Sequence, residues 1–104
     1  MIDLNEISRS ALETAKARER KGQLKSDTMS ILKHCAGEVC EAVEQWGVLN
    51  NSRKNNYNHY GVLDRFSEEL ADIITCALIA AANEGVDIEA ALLQVQEKNK
   101  RRAE

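Results

Sequence analysis

Proline is absent from this chain of 104 residues, glycine occurs five times, and there are one phenylalanine, one tryptophan and two tyrosines. An all-β fold of this length needs turn residues between its strands and aromatic residues within them, so their scarcity points to helices joined by few tight turns. A net charge of −3 lacks the basic excess with which a nucleic-acid binder neutralises phosphates. Cys35, Cys40 and Cys76 are odd in number and lack C-x-x-C spacing, which leaves reduced thiols rather than a zinc or redox motif. The opening MIDLNEISRS has no apolar core of a secretory signal. The longest apolar stretch, within residues 70–82, is too short to cross a bilayer and carries Asp72. The expectation is a cytoplasmic chain with neither nucleic acid nor membrane as partner.

What is present reads as one domain with a modest core. Residues 3–20 form a first helix, capped by Asp3 or Asn5, with Leu4, Ile7, Ala11 and Ala15 on one stripe and Gly22 as its stop. Ser26 or Asp27 caps a second helix running to about Leu49. Its apolar positions are Ile31, Cys35, Ala42, Val43 and Trp46, and its polar stripe is His34, Glu38, Glu41 and Gln45. Residues 50–61, rich in asparagine, read as a loop. A third helix covers about 63–84 and ends at Gly85. Asp87 caps a fourth, with Ile88, Ala91, Leu92 and Val95 as its stripe. The fold class is all-α, a four-helix, bundle-like protomer spanning residues 1–104. The third helix is apolar on more faces than a lone bundle covers, so a homo-oligomer is expected, a dimer at least.

Two carboxylate pairs carry the chemistry. Glu38-x-x-Glu41 lies in the second helix, and Glu69-x-x-Asp72 enters the apolar third, where only Asp72 and Thr75 are polar between Leu70 and Ala82. An i, i+3 spacing places each pair on one helix face. Two such pairs facing each other gather four carboxylates, and like charges about 4 Å apart repel by about 4 kcal/mol at an effective dielectric of 20. A hard divalent cation relieves that repulsion, and carboxylate oxygens suit Mg²⁺. The alternative is structural: Asp72 pairs with Arg65, Arg18 or Lys16 from a neighbouring helix. Glu44 and Glu68 read as solvated.

The order E-x-x-E, an intermediate loop, E-x-x-D entering an apolar helix, the turn Gly85-Val86-Asp87 and a basic helix with Asn99 and Arg102 resembles the MazG-like all-α nucleoside triphosphate pyrophosphohydrolases. The resemblance covers about residues 28–102, with 27 residues between Glu41 and Glu69. It implies Mg²⁺, or Mn²⁺, held by Glu38, Glu41, Glu69 and Asp72. It further implies hydrolysis of a nucleoside triphosphate to monophosphate and pyrophosphate in nucleotide-pool house-cleaning. Relatives in the superfamily act on dUTP, dCTP or phosphoribosyl-ATP, and the resemblance extends the expected homo-oligomer from a dimer to a tetramer. Members commonly carry a lysine where this chain has Val95, so the phosphate contacts fall to Lys98, Asn99 and Arg102, or to Arg53 and Lys54.

His34, one turn before Glu38, reads as a hydrogen-bonded histidine or a further ligand. Without E-x-x-H spacing, the di-iron bundle signature is missing. Cys76 and Trp46 read as core residues, and Tyr57, His59 and Tyr60 as loop residues able to close over a nucleobase. Two other function classes compete with the hydrolase: a non-catalytic helical oligomer that binds a nucleotide or protein, and a DNA-binding helical dimer, which the acidic balance disfavours.

Overall fold

A computed structural model describes residues 1–55 and 60–104, Tyr60 through its backbone. It contains four helices: α1 (Leu4–Arg20), α2 (Thr28–Lys54), α3 (Tyr60–Asn83) and α4 (Ile88–Ala103). Among the described residues there is no strand. The expected loop readings at Tyr57 and His59, and the side chain of Tyr60, lie outside the described residues.

Short polar side chains start the helices. Asp3 accepts hydrogen bonds from the Asn5 and Glu6 amides, Asp27 from Ser30 and Asp87 from Ala90, which satisfies donors that a first turn leaves free. Glycine stops two of them. Gly22 and Gly85 adopt φ of 72° and 67°, and each closes a Schellman turn: the Gln23 amide donates to the Arg18 carbonyl, and the Val86 amide to that of Ala81.

α2 is five residues longer than its sequence pattern suggested, and α3 begins three earlier. Residues 50–54 and 60–61 are therefore helical, where the sequence suggests a loop over 50–61. Nothing in Asn50–Lys54 breaks a helix, and Leu49 and Ser52 are buried. Asn55 then closes the end with amide and side-chain hydrogen bonds to the Asn51 carbonyl.

α2 and α3 pack along the most extensive contact in the chain, and α1 lies on α3. The α2–α3 pair is antiparallel. Asn83 and Glu84, at the end of α3, hydrogen-bond Ser26 and Thr28 at the start of α2. Ala15, Ile31, Cys76 and Ile79 form the core where the three helices meet, with Leu12, Leu24 and Cys35 packed against it. Cys76 is thus a core residue, as its sequence context suggested.

Val43 and Trp46, two of the apolar positions expected to pack in α2, are not buried. Trp46 is 53% exposed rather than core. α2 is rotated so that its acidic stripe meets α3, which turns Met29, Leu32, Val39, Val43 and Trp46 outward. α3 has more apolar surface than the single chain covers, as its sequence suggested: Cys76, Leu78, Ile79 and Ala81 are buried while Leu70 and Ile74 are exposed.

α4 makes its main contact with α1, not α2. Its root is clamped by Asn5, whose side-chain amide donates to Asp87 Oδ1 at 2.9 Å while its oxygen accepts from the Ile88 amide at 3.1 Å. From Leu92 to Glu104 every residue is exposed. The radius of gyration, 16.3 Å, exceeds the about 13 Å of a compact chain of similar length. The helix is an arm.

Glycine substitutions at two positions have opposite expected signs. Gly85→Ala is expected to lower the unfolding free energy by about 1–2 kcal/mol, the penalty of a Cβ in left-handed backbone. Gly37→Ala, inside α2 with nothing within 4 Å of the added Cβ, is expected to raise it by about 0.5–1 kcal/mol. Denaturant titration of both variants checks the pair.

Candidate metal centre

The antiparallel register of α2 and α3 decides which side chains meet between them. Cys35 reaches across to the Ile73 carbonyl, its Sγ 3.9 Å from the oxygen. One turn further along α2 stands Glu38, and one turn back from Cys76 along α3 stands Asp72. The acids therefore occupy the layer directly beyond the core, where the apolar seam would otherwise continue. Beyond them the seam becomes apolar again at Ala42 and Leu49, which are buried.

Three of the four predicted acids come together. Glu38, Glu41 and Glu69 each offer a carboxylate oxygen, and these atoms lie within 4.8 Å of one another. Asp72 is exposed and stands outside this group, one turn along α3. No Lys or Arg side chain forms an ion pair with any of the four among the described residues, so the alternative partners Arg65, Arg18 and Lys16 do not serve Asp72. Glu44 and Glu68 are exposed, as anticipated.

The electrostatics of the cluster are unfavourable to its own charge. Glu69 is held above the ordinary carboxylate range, chiefly by its hydrogen-bonding contact with the Glu38 side chain. Desolvation and the negative charges of Glu38 and Asp72 act in the same direction, while a hydrogen bond with Glu41 opposes them. Glu69 Oε2 is also buried without a hydrogen-bond partner. An all-oxygen set with a buried orphan oxygen and excess negative charge fits a hard divalent cation.

His34 is a histidine tied to the site: its Nε2 lies 3.0 Å from Glu38 Oε1, with the imidazole mostly exposed and the carboxylate largely covered. Gln45 holds a place that the sequence marked only as polar. Its Oε1 is buried with no partner, one turn beyond Glu41 on the same stripe. An unsatisfied buried acceptor costs about 1–3 kcal/mol, and a polar side chain on an acidic stripe is the one signal that the sequence offered for it. Cys76 takes no part as a nucleophile, since burial, with Cys35 beside it, pushes its thiol up to about 11.

The predicted phosphate contacts are not gathered here. Lys98, Asn99 and Arg102 lie on the exposed arm, and Lys54 is exposed at the end of α2.

Glu69 gives the metal-free protein a distinctive pH response. A carboxyl raised in the folded state binds its proton more tightly there than in the unfolded chain, so its ionisation destabilises the fold as pH rises from the unfolded value through the folded one. Relative to wild type, Glu69→Gln is expected to lose that decline while keeping the opposite, acid-side loss from Glu19, Asp27 and Asp87, whose carboxyls are lowered by hydrogen bonds. Thermal melts in chelator from pH 4 to 8 measure the difference.

The family described as MazG nucleotide pyrophosphohydrolase domain matches residues 23–104, a span that takes in α2, α3 and α4 with every acid of the centre. No curated protein and no solved structure matches the chain. With most of its length and its whole acidic seam inside the match, the chain belongs to the MazG nucleotide pyrophosphohydrolase family.

Proposed function

We propose that the chain hydrolyses a nucleoside triphosphate to the monophosphate and pyrophosphate, using a divalent cation in the α2–α3 seam, and so acts in nucleotide-pool house-cleaning. The observation that carries this reading is the three-carboxylate cluster with its buried, unpartnered Glu69 oxygen. Mg²⁺ or Mn²⁺ held by Glu38, Glu41 and Glu69 would supply charge neutralisation for the triphosphate and Lewis acidity at the scissile linkage.

The chain's own residues supply position and proton transfer. His34 fixes the Glu38 carboxylate by its contact at 3.0 Å. Asp72, outside the cluster and facing solvent, is the carboxylate free to orient a water and accept its proton. The water oxygen bonds to phosphorus, the α–β phosphoanhydride bond breaks, and pyrophosphate leaves with the electron pair. Lys98, Asn99, Arg102 and Lys54 are the groups available to hold the phosphates, and placing them is worth much of the rate in phosphoryl chemistry.

A second reading has Asp72 in its favour. Because that acid stands outside the cluster, a protein that binds a nucleotide without turning it over would show the same three-acid site. Pyrophosphate release across a panel of (d)NTPs, including dUTP and dCTP, with phosphoribosyl-ATP, decides between them. Turnover that requires Mg²⁺ supports the hydrolase, and binding without release supports the alternative.

Two outcomes separate ligand from proton acceptor. Saturating metal, at 100 times Kd, is expected to stabilise the wild-type fold by about 2.7 kcal/mol, and Glu69→Gln to abolish that gain in a thermal melt. Asp72→Asn is expected to fold, retain most of the metal response, and lose activity by about 100-fold or more. An Asp72→Asn protein with full pyrophosphate release would remove Asp72 from the mechanism.

A further inference from the structure

Among the described residues, two buried side-chain atoms have no hydrogen-bond partner: Glu69 Oε2 and Gln45 Oε1. Both are acceptors, one on each helix of the seam. The cation that the three carboxylates fit accounts for the glutamate oxygen. The amide oxygen has no such account. Gln45 stands one turn past Glu41 on α2 and one turn before Leu49, which is 2% exposed. An apolar side chain there would continue the buried layer of Ala42 and Leu49 with no orphaned atom. The chain places an acceptor there instead and shields it from solvent, which destabilises the metal-free fold.

Donors along the seam are committed elsewhere. On α3 the Ser67 hydroxyl donates to the Leu63 carbonyl at 2.9 Å and the Thr75 hydroxyl to that of Ala71 at 2.8 Å. Cys35 is directed at the Ile73 carbonyl, and no Lys or Arg pairs with the neighbouring acids among the described residues. The donor that Gln45 lacks therefore comes with a ligand, and chemistry narrows which. Ionised phosphate oxygens accept hydrogen bonds and do not donate them, so a triphosphate leaves an amide oxygen unsatisfied. A hydrated divalent cation satisfies it, because Mg²⁺ keeps several waters when carboxylates bind it and their O–H groups are strong donors. The identity of the side chain agrees. A further carboxylate at this position would add to the repulsion among Glu38, Glu41, Glu69 and Asp72, whereas an amide accepts without charge.

We infer that Gln45 is a positioning residue for the cation: its Oε1 accepts a hydrogen bond from the water shell of a divalent ion bound by Glu38, Glu41 and Glu69. The inference rests on the metal-dependent reading above, but not on turnover. It gives the whole polar stripe of α2 a single task. His34 steadies Glu38 at one end, through its contact at 3.0 Å, and Gln45 orders water at the other.

Two substitutions with opposite signatures test it. Gln45→Met keeps the length of the side chain and removes the acceptor; Gln45→Glu keeps the acceptor and adds charge. In chelator, Gln45→Met is expected to raise Tm by about 4 °C or more, and Gln45→Glu to lower it. Binding of Mg²⁺ or Mn²⁺ alone is then titrated by calorimetry, without nucleotide. Gln45→Met is expected to bind about 10- to 100-fold more weakly than wild type, and Gln45→Glu at least as tightly. A residue that only packs would move Tm and leave Kd unchanged, and that result overturns the inference.

The side-chain amide resonances of Gln45, identified by their loss in Gln45→Met, give a second readout. They are expected to shift in ¹⁵N spectra when Mg²⁺ alone is added to the wild-type protein. Resonances that respond only to nucleotide, with a Gln45→Met effect confined to KM for one base, would make Gln45 a reader of a nucleobase amine and overturn the inference. Metal binding that depends on Gln45, in a protein that releases no pyrophosphate, upholds the inference and refutes the hydrolase. Mg²⁺-dependent turnover with the Kd for metal unchanged in Gln45→Met does the reverse.

Discussion

The structure depends on the antiparallel packing of α2 against α3. That seam contains both the main core and the acidic centre, stacked as successive layers. Ile31, Cys35, Cys76 and Ile79 form a conventional apolar layer, and Ala42 and Leu49 form another. Between them sit Glu38, Glu41 and Glu69, which contribute mutual repulsion where a chain selected for stability alone would place leucine or alanine. The apolar layers on either side must hold the helices together against that repulsion, and their small residues let the helix axes approach closely enough for the carboxylates to meet. Alanine and cysteine at these positions therefore set the spacing of the acids as much as they fill the core.

The same seam explains the low contrast of α2. A helix that directs acids inward and valines outward has apolar residues on two faces, and neither face alone identifies its buried side. α1 and α4 have no such conflict and show ordinary single stripes. α1 uses its stripe against α3, with Ser8 donating to the Leu78 carbonyl inside the contact. α4 uses little of its own stripe within the chain.

The order of elements, the caps at Asp3, Asp27 and Asp87, and the stops at Gly22 and Gly85 were legible in the sequence because each rests on chemistry within one turn. The three facing glutamates were legible through their spacing. The orientation of α2 was not. The rule that apolar residues face inward assigns Trp46 to the core, and it fails because the carboxylate layer determines which face of α2 meets α3. Nor was the extent of α2 clear, since asparagine clusters resemble loops unless a buried Leu49 and Ser52 anchor the next turn. The exclusion of Asp72 from the cluster was also hidden: i, i+3 spacing puts two acids on a face without saying how far each reaches across a seam. Gln45 was visible as a polar position, but its unpartnered oxygen emerges only from the packing around it.

The clamp at the root of α4 has a kinetic consequence. Asn5 and Asp87 are 82 residues apart in sequence, so their hydrogen bonds close nearly the largest loop that the chain allows. Loop closure of that length is entropically costly before α1 and α3 have met, and contacts of high sequence separation tend to form late. The α2–α3 hairpin, closed by a connection of a few residues, has no such delay. Sequence separation therefore favours a folding order in which the acid-bearing seam forms first and the direction of the basic arm is set last, by an asparagine in the first turn of the first helix.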